Sequence, residues 1–249
     1  MRILVLAVFG VSSLALASPA EEPKKPDAKA DGWIDLMKPD VWKKVDAGWI
    51  FADEVKLCPD PKGKVDVRLK AEKKEGGKIW VNGENGRLPN LITKEAFGDC
   101  EVHVEFLIAK NSNGGIKFHE VYEIQILDSH GKKDIDGTGM GGVYPRADAK
   151  QGYLDKGIAP KVNAAKPAGE WQTLDVVWKS PRFDAKGEKT ANAKIVKATL
   201  NGEVIHDNVE LKTPTGGNWT RKETATGSFM LQTDHGPTAW RNVKIRVVK

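Results

Sequence analysis

Apolar and polar residues alternate with a period of two over many short stretches of this chain. Successive side chains of a β-strand point to opposite faces, so this pattern predicts strands with one buried face. Gly and Pro punctuate most junctions, and no long stretch has the period of an amphipathic helix. We therefore predict an all-β fold, an antiparallel β-sandwich. The predicted strands are 48–51, 78–81, 101–108, 116–119, 121–128, 173–179, 193–200, 229–232 and 243–248.

Two short segments give the pattern local detail. Asn201-Gly202 lies between alternating runs, and this pair favours a type I′ hairpin because both residues tolerate positive φ. In segment 101–106 the residues Glu101, His103 and Glu105 alternate with apolar ones, which predicts a half-solvated strand.

The segment 122–128 carries polar groups inside an apolar strand. Its alternation buries the aromatic and isoleucine side chains and presents Glu123 and Gln125 on one face. The preceding strand, 116–119, follows a Gly-rich loop at 111–115 and alternates Lys117 and His119 with apolar residues. Two adjacent strands would then combine their polar side chains into one site.

The chain begins with features of an export signal. Residues 1–17 comprise Met1-Arg2, an apolar run and a small-residue site ending at Ala17, which is the arrangement of a cleavable secretory signal peptide. Residues 18–30 are rich in charge and Pro, which predicts a disordered linker. Residues 31–249 then form one predicted domain. We expect an exported protein, periplasmic or secreted, without stable membrane insertion, because no later run approaches about 20 apolar residues.

The charge distribution argues against one class of binding partner, and the cysteine count leaves a disulfide open. The net charge is +5 and the pI is near 9.0, but basic residues are interspersed with acidic ones and form no aromatic-studded stripe, so we expect no nucleic-acid binding. The only cysteines are Cys58 and Cys100, and their pairing as a disulfide or persistence as thiols stays open.

The candidate site lacks the acid pair of a conventional glycosidase. A retaining enzyme needs two carboxyl groups about 5 Å apart. Two residues after Glu123 stands Gln125, an amide, while Asp128 falls on the opposite face of a regular strand. Glu101 and Glu105 share a face but lie roughly 13 Å apart. A conventional endoglucanase is therefore the last-ranked interpretation.

A single carboxylate beside histidine, cations and amides suits proton abstraction next to a carbonyl. Glu123 and His235 are the candidate bases, and a turn histidine bonded to Asp234 is the structural alternative for His235. The candidate binding residues are Gln125, Lys117, His119, Arg241, Glu105, Asp128, Trp80 and Trp219, the last two as apolar platforms for a sugar ring.

Metal binding has little support in the sequence. His103, His119, Glu105, Glu123 and His235 show no recognised ligand spacing, so we expect no metal and no cofactor, although the sequence leaves a divalent ion open. Segment 134–139 shares part of a calcium-loop pattern but lacks its remaining acids, which favours a polar turn.

Twelve short segments recur in the order of a known domain family: 32–36, 97–101, 104–106, 111–116, 122–128, 142–144, 159–163, 167–173, 181–184, 201–202, 231–232 and 241–243. Taken together, they resemble the 3-keto-disaccharide hydrolase domain family, with its concanavalin A-like lectin/glucanase jelly roll. The resemblance covers almost all of residues 31–249 and implies an enzyme that acts on 3-keto-glycosides by elimination across C1 and C2, followed by hydration. It also implies an oxidised sugar or glycoside as the substrate.

Two positions and one loop depart from the family pattern. Gly114 stands where the family commonly has Ser, Lys117 replaces an apolar or aromatic residue, and the loop 233–236 shifts the usual spacing.

The alternative of a different class is a non-catalytic carbohydrate-binding module, because the same fold supports binding without turnover.

Overall fold

The computed structural model describes residues 32–58 and 67–248; the predicted signal peptide, 1–17, and linker, 18–30, lie outside the described residues. The described chain is an antiparallel β-sandwich, which confirms the predicted fold class. A short 3-10 helix, Pro39–Val41, interrupts the strands near the start. The strands are β1 Ile34–Asp35, β2 Ile50–Ala52, β3 Lys56–Cys58, β4 Arg68–Lys70, β5 Ile79–Val81, β6 Leu91–Phe97, β7 Cys100–Ile108, β8 Asn113–Phe118, β9 Tyr122–Leu127, β10 Ala147–Asp148, β11 Gly152–Tyr153, β12 Gln172–Lys179, β13 Arg182–Phe183, β14 Lys189–Ala191, β15 Ala193–Leu200, β16 Glu203–Leu211, β17 Gly227–Gln232 and β18 Thr238–Val247.

Two sheets form the layers of the sandwich. The larger has the order β16-β15-β12-β7-β18-β5-β2, with β1 also paired to β18, and the smaller has the order β6-β17-β8-β9. Short ribbons β3-β4, β10-β11 and β13-β14 lie outside these sheets. Most neighbours are far apart in the chain, as in a jelly roll.

The main core fills the space between the two sheets. Alternate residues of β7 and β12, such as Val104 and Val176, face alternate residues of β8 and β9, such as Ile116 and Ile124. At one end the Phe118 ring stacks on Trp178 with their centroids 4.4 Å apart. This packing places the other face of each sheet on opposite sides of the molecule.

A second, smaller core covers part of the outer face of the large sheet. Leu69 of β4 packs there with Ile79, Val81, Leu107 and Ala239. Because β5, β7 and β18 contribute apolar residues to both faces, their apolar runs are more continuous than a half-solvated strand would require.

The local predictions have mixed outcomes. Asn201 and Gly202, with φ of 52° and 90°, form the two-residue turn between β15 and β16, as predicted. The predicted loop 111–115 is wrong in part, because Asn113 to Gly115 already belong to β8. The predicted alternation of Lys117 and His119 on one face is also wrong: β8 ends at Phe118, and His119 has a φ of 53°, which turns its side chain out of the strand pattern.

The two cysteines do not form a disulfide. Cys100 is a free thiol on β7, and burial raises the pKa of that thiol. The Cys58 sulfur lies 3.8 Å from the Arg68 guanidinium. Among the described residues, no helix has the length and apolar character needed to cross a membrane.

Candidate active site

The outer face of the small sheet carries a buried ion pair. Lys117 of β8 and Glu123 of β9 are direct cross-strand partners, so their side chains leave the same face of the sheet. The Lys117 Nζ lies 2.8 Å from the Glu123 Oε2, and both side chains are largely buried. Gln125, two residues along β9, shares this face and is 2% exposed. The structure therefore brings together Lys117, Glu123 and Gln125.

Gly115 makes room for the Glu123 carboxylate. It pairs with Gln125 across β8 and β9 and lies next to Lys117 on the same face. A Cβ at Gly115 would stand 2.9 Å from the Glu123 Oε1 and 3.3 Å from its Cγ. The missing side chain thus allows the carboxylate to lie over the backbone of β8.

A segment outside the named strands extends the small sheet past β9. The amides of Gln125 and Tyr144 donate to the carbonyls of Gly142 and Glu123, at 2.8 and 3.1 Å. This antiparallel arrangement places Tyr144 beside Glu123. The Tyr144 hydroxyl lies 2.8 Å from that of Tyr153. Burial raises the pKa of the Tyr144 phenol, and the nearby Glu123 charge adds to the shift.

The loop between β17 and β18 brings His235 to the same region. The Asn82 amide nitrogen donates to the carbonyls of Thr233 and Gly236, at 2.8 and 2.9 Å, and the Asn82 oxygen accepts from the Thr238 amide at 2.7 Å. The Ser112 hydroxyl donates to the Pro237 carbonyl at 2.8 Å. These four bonds fix the loop to both sheets.

His235 itself is more open than its loop. Its Nδ1 lies 2.5 Å from the Asp234 Oδ1, and its side chain is 51% exposed. The bond to Asp234 that the sequence suggested is therefore present. At the Glu123 carboxyl, Asp234 raises the pKa and His235 lowers it.

Electrostatics favour a proton acceptor at Glu123. Burial raises the pKa of the Glu123 carboxyl, because the charged form loses hydration. Lys117, through its charge and its hydrogen bond, and His235 oppose the shift, whereas Asp234 adds to it. A carboxylate with a raised pKa is a stronger base than an exposed one, and the adjacent ammonium can hold a developing negative charge.

His119 does not join this group. Its Nδ1 lies 3.1 Å from the Thr224 carbonyl, and its Nε2 lies 3.1 Å from the Ser180 hydroxyl. Its ring packs edge-on against Trp178 and Tyr122 in the core. Burial lowers the pKa of His119. His119, in the β8–β9 turn, therefore packs against the end of β12.

Arg241 and Glu105 lie on the opposite side of the sandwich. They are cross-strand partners on the outer face of the large sheet, with the Arg241 Nε 2.6 Å from the Glu105 Oε2. The Arg241 guanidinium also covers the Trp171 ring at 4.0 Å from its centroid. Asn242 donates to Glu105 at 2.8 Å. The main core therefore separates both residues from Glu123.

Two further candidate binding residues, Trp80 and Asp128, make contacts within the fold. Trp80 is buried in the main core, where its ring lies 4.9 Å from that of Phe51. Asp128, just beyond β9, accepts from the Asn111 amide at 3.0 Å and lies 3.5 Å from the Lys110 ammonium.

Trp219 is the aromatic candidate near the site. The Arg146 guanidinium lies 5.6 Å from its ring centroid, and Arg146 is two residues from Tyr144. A cavity of about 450 Å³ adjoins this side, lined in part by Tyr144, Arg146 and Thr215. The Thr215 hydroxyl accepts from the Glu123 amide at 3.0 Å, which connects the cavity wall to β9.

Sequence reasoning missed Tyr144 and Asn82 as site residues. Tyr144 was part of a recognised family segment, but only the pairing with β9 places it beside Glu123. Asn82 carries no local signal, because its three bonds reach residues more than 150 positions away.

The arrangement of possible ligand side chains bears on metal binding. Within 32–58 and 67–248, no group of three or more His, Cys, Asp or Glu side chains is arranged to hold a metal ion. In the calcium-like segment, the Asp136 carboxylate accepts from the amide and hydroxyl of Thr138, at 2.9 and 2.6 Å, which makes a local polar turn.

Comparisons with known proteins give the fold and the family. Two proteins from Parabacteroides distasonis, each provisionally titled a glycosyl hydrolase, have similar structures. One is 21% identical, with a TM-score of 0.58 over 93% of this chain and 95% of its own. The other is 16% identical, with a TM-score of 0.50 over 88% and 95%. No curated protein matches the sequence.

These likenesses show the fold, and the sequence match is more specific. The 3-keto-alpha-glucoside-1,2-lyase-like domain matches residues 30–246, which include both sheets except the last residue of β18 and include every residue of the site on β8 and β9. The match confirms the resemblance found in the sequence motifs, and the chain belongs to the 3-keto-alpha-glucoside-1,2-lyase-like domain family.

Proposed function

We propose that this protein cleaves glycosides that carry a carbonyl at C3 of the sugar, by elimination across C1 and C2 followed by hydration. One observation carries the proposal: the buried Glu123 carboxylate contacts Lys117, while the next position on the same face of its strand holds the amide Gln125. This set of side chains suits the removal of an acidic C–H proton, and it lacks the second carboxylate that a retaining glycosidase would place two residues away.

The C3 carbonyl makes the first step feasible. Glu123 takes the C2 proton, and the electrons of the C2–H bond form an enolate across C2 and C3. The enolate then re-forms the C3 carbonyl as the C1–C2 double bond appears and the C1–oxygen bond breaks. The leaving oxygen gains a proton, and the sugar becomes an unsaturated 2-hydroxy-3-keto product. Addition of water, with a hydroxyl to C1 and a proton to C2, completes a net hydrolysis.

The neighbouring residues suit separate parts of this sequence. The Lys117 ammonium is placed to stabilise the enolate oxygen, because it already faces the carboxylate that creates the charge. Tyr144, which pairs beside Glu123, and His235, which lowers the pKa of Glu123, are candidates for transferring protons to the leaving oxygen or from water. Between the two candidate bases, burial and contact with a cation favour Glu123 for proton abstraction, since His235 is half exposed.

The proposed cellular setting follows from the first residues of the chain. A leader like that of residues 1–17 directs export, so we propose a periplasmic or secreted enzyme that meets oxidised sugars outside the cytoplasm. Amino-terminal sequencing of the protein recovered from its native compartment would test this, with cleavage after Ala17 as the expected result.

The function is tested by proton NMR of the purified protein with a methyl 3-keto-glucoside, beside the unoxidised glucoside. We expect cleavage of the keto sugar alone, with an unsaturated intermediate, and loss of cleavage in Glu123→Ala. Gln172→Leu, on the large sheet, is a matched control that should retain activity in its folded fraction.

The outcome that contradicts the proposal is equally concrete. If neither sugar turns over, with or without added divalent ions, but sugar resonances broaden on mixing, the protein binds carbohydrate without catalysis. If the unoxidised glucoside is cleaved as fast as the keto sugar, the C3 carbonyl has no part in the reaction.

A further inference from the structure

Tyr144 lies on the opposite side of Glu123 from Lys117. Ile124 of β9 and Val143 form an antiparallel bridge, and both face the main core. Their neighbours Glu123 and Tyr144 therefore share the outer face of the sheet. On the other side of Glu123, its cross-strand partner on β8 is Lys117. Three polar side chains thus cross this face in one row, with the carboxylate in the middle.

The order of this row matches the order of the reacting atoms in a 3-keto-glycoside. C2, which loses its proton, lies between C3, which carries the carbonyl, and C1, which carries the leaving oxygen. With Glu123 at C2 and the adjacent Lys117 ammonium at the C3 oxygen, the C1 oxygen is on the Tyr144 side. The strand that leads to His235, β17, lies on the Lys117 side of β9. Of the two candidate proton donors, Tyr144 is therefore the one on the side of the leaving oxygen.

The Tyr144 side chain is half-buried and is hydrogen-bonded to a second phenol that is open to water. Its hydroxyl oxygen lies 2.8 Å from that of Tyr153, and the two rings meet edge-on with centroids 5.7 Å apart. Tyr153 is 58% exposed. Tyr144 also lines the cavity of about 450 Å³ beside this segment, a volume typical of small-molecule sites. The pair of phenols thus connects the row on the sheet with solvent.

The ribbon formed by β10 and β11 fixes Tyr153 in this position. Its pairing returns Tyr153 to the segment that carries Tyr144. The Arg146 carbonyl accepts from the Leu154 amide at 2.9 Å, directly beyond Tyr153. The Arg146 Nε also donates to the Asp155 Oδ2 at 2.7 Å. Backbone pairing and an ion pair therefore hold the two phenols together.

The charge of Glu123 couples the proton acceptor to the proton donor. Burial raises the pKa of the Tyr144 phenol, and contact with Tyr153 and the Glu123 charge raise it further. The phenol is therefore protonated at neutral pH. When Glu123 takes the C2 proton, its charge disappears, and that part of the pKa shift disappears with it. Tyr144 becomes a stronger acid at the moment when the leaving oxygen needs a proton.

We propose that Tyr144 is the proton donor to the leaving oxygen and that Tyr153 relays protons between Tyr144 and solvent. These roles rest on the proposed function. As the C1–oxygen bond breaks, its electron pair stays on the oxygen, which takes the Tyr144 hydroxyl proton. Tyr144 takes the hydroxyl proton of Tyr153, so the negative charge moves to the exposed phenolate, where water hydrates it.

The hydration step reverses the relay. The water oxygen adds to C1 and gives a proton to Tyr144, while Tyr153 regains its own proton from Tyr144. The Glu123 carboxyl returns a proton to C2, so every group recovers its starting state. A proton donor at C1 lets the enzyme cleave glycosides of alcohols, including a second sugar, as well as glycosides of acidic phenols.

The test varies the acidity of the leaving alcohol. Methoxide from methyl 3-keto-glucoside needs a proton to leave, whereas nitrophenolate from the 4-nitrophenyl glycoside leaves as an anion. We measure kcat/KM on both, corrected for uncatalysed elimination, for wild type, Tyr144→Phe, Tyr153→Phe and His235→Gln. Deuterium at C2 of recovered methyl glycoside reports enolate formation without C1–oxygen cleavage. Tyr122→Phe is the matched control, because its ring packs against Trp178 in the main core, with centroids 5.2 Å apart.

We expect Tyr144→Phe to lower kcat/KM by about 100-fold on the methyl glycoside and by less than about 5-fold on the nitrophenyl glycoside. Exchange at C2 should continue, so the ratio of exchange to cleavage should rise at least about 10-fold. Tyr153→Phe should lose about 3- to 10-fold on the methyl glycoside alone, because water can replace an exposed hydroxyl. Tyr122→Phe should keep the wild-type ratios in its folded fraction, measured by thermal unfolding.

The outcomes separate the role of Tyr144 from the proposed reaction. Wild-type cleavage of both glycosides by Tyr144→Phe, or a leaving-group dependence that arises in His235→Gln instead, overturns the role and leaves elimination standing. Equal loss of C2 exchange and cleavage in folded Tyr144→Phe also overturns it. Wild type itself should favour the nitrophenyl glycoside by less than about 100-fold, and a larger preference excludes a proton donor whether or not the variants fold. If wild type neither exchanges nor cleaves, the proposed function and the role of Tyr144 both fail.

Discussion

At the scale of single residues, the account depends on a carboxylate and an ammonium buried together on one sheet face. The pair costs hydration that only its mutual attraction and its neighbours offset, so its presence is weak evidence for stability. Perturbed carboxyls of this kind are common at functional sites. The sequence alone indicated Glu123, Gln125 and Lys117, since strand alternation puts them on one face. It could not indicate Tyr144, which reaches Glu123 only through pairing between distant segments.

The first residue-scale prediction concerns pH. Lys117 lowers the pKa of Glu123 against the larger effect of burial, which raises it. Removing the ammonium in Lys117→Met should therefore raise the carboxyl pKa further. Because the base must be ionised, the acid limb of the kcat/KM profile should move to higher pH by about one unit or more. Lys117→Arg keeps the charge and should keep the limb near its wild-type position; an unmoved limb in Lys117→Met would exclude Glu123 as the titrating base.

The second residue-scale prediction concerns the position of the carboxylate. In Gly115→Ala the new methyl group would stand 2.9 Å from the Glu123 Oε1, so the carboxylate must move. A displacement of about 1 Å at a reacting group can cost on the order of 100-fold in rate. We expect kcat to fall by about 10- to 100-fold with a small change in KM, measured on the keto sugar. Gly217→Ala, which adds its methyl to open space, is the control, and equal activity of both variants would contradict the assigned carboxylate position.

At the scale of elements, one turn and one loop separate the expected site from the observed one. The alternation of 116–119 predicted one continuous strand, but His119 adopts positive φ and leaves the face of Lys117. Local pattern cannot reveal such a turn, because the bonds that stabilise it come from Ser180 and Thr224, at least 61 positions away. The loop that carries His235 was recognisable as a loop, whereas its attachment through Asn82 was not.

His119 leads to a prediction about stability. Burial lowers the pKa of His119 and of His206, so the unfolded chain binds more protons than the folded one at acid pH. Their contribution is complete above the unfolded pKa of about 6.5 and is lost as pH falls through the folded values. In denaturant unfolding, wild type should therefore lose stability below about pH 6.5.

The variant His119→Gln should make that pH dependence shallower. It should cost roughly 1 to 2 kcal/mol at pH 8 through weaker bonds to Ser180 and Thr224, but it removes one proton-linked group. His206→Gln should behave similarly, and the double variant should have the flattest profile. An unchanged slope in both single variants would show that these histidines are not the groups responsible.

At the scale of the whole molecule, the two outer faces of the sandwich carry different chemistry. Strand periodicity predicted the all-β sandwich and several of its strands, because burial on one face imposes the period of two. It could not assign strands to sheets, so Glu105 and Arg241 were grouped with Glu123 although they lie across the core from it. Their ion pair beside Trp171 is a feature of the large sheet.

The central claim is that Glu123 removes the C2 proton of a 3-keto-glycoside, and deuterium exchange tests it most directly. The protein is incubated with methyl 3-keto-glucoside in deuterated buffer, and incorporation at C2 is followed by NMR for wild type and for Glu123→Gln, whose folding is checked by thermal unfolding. We predict rapid incorporation in step with cleavage for wild type, and at least about 100-fold slower exchange for the variant. Equal exchange in the two proteins, or cleavage by wild type without any deuterium at C2, would contradict the account.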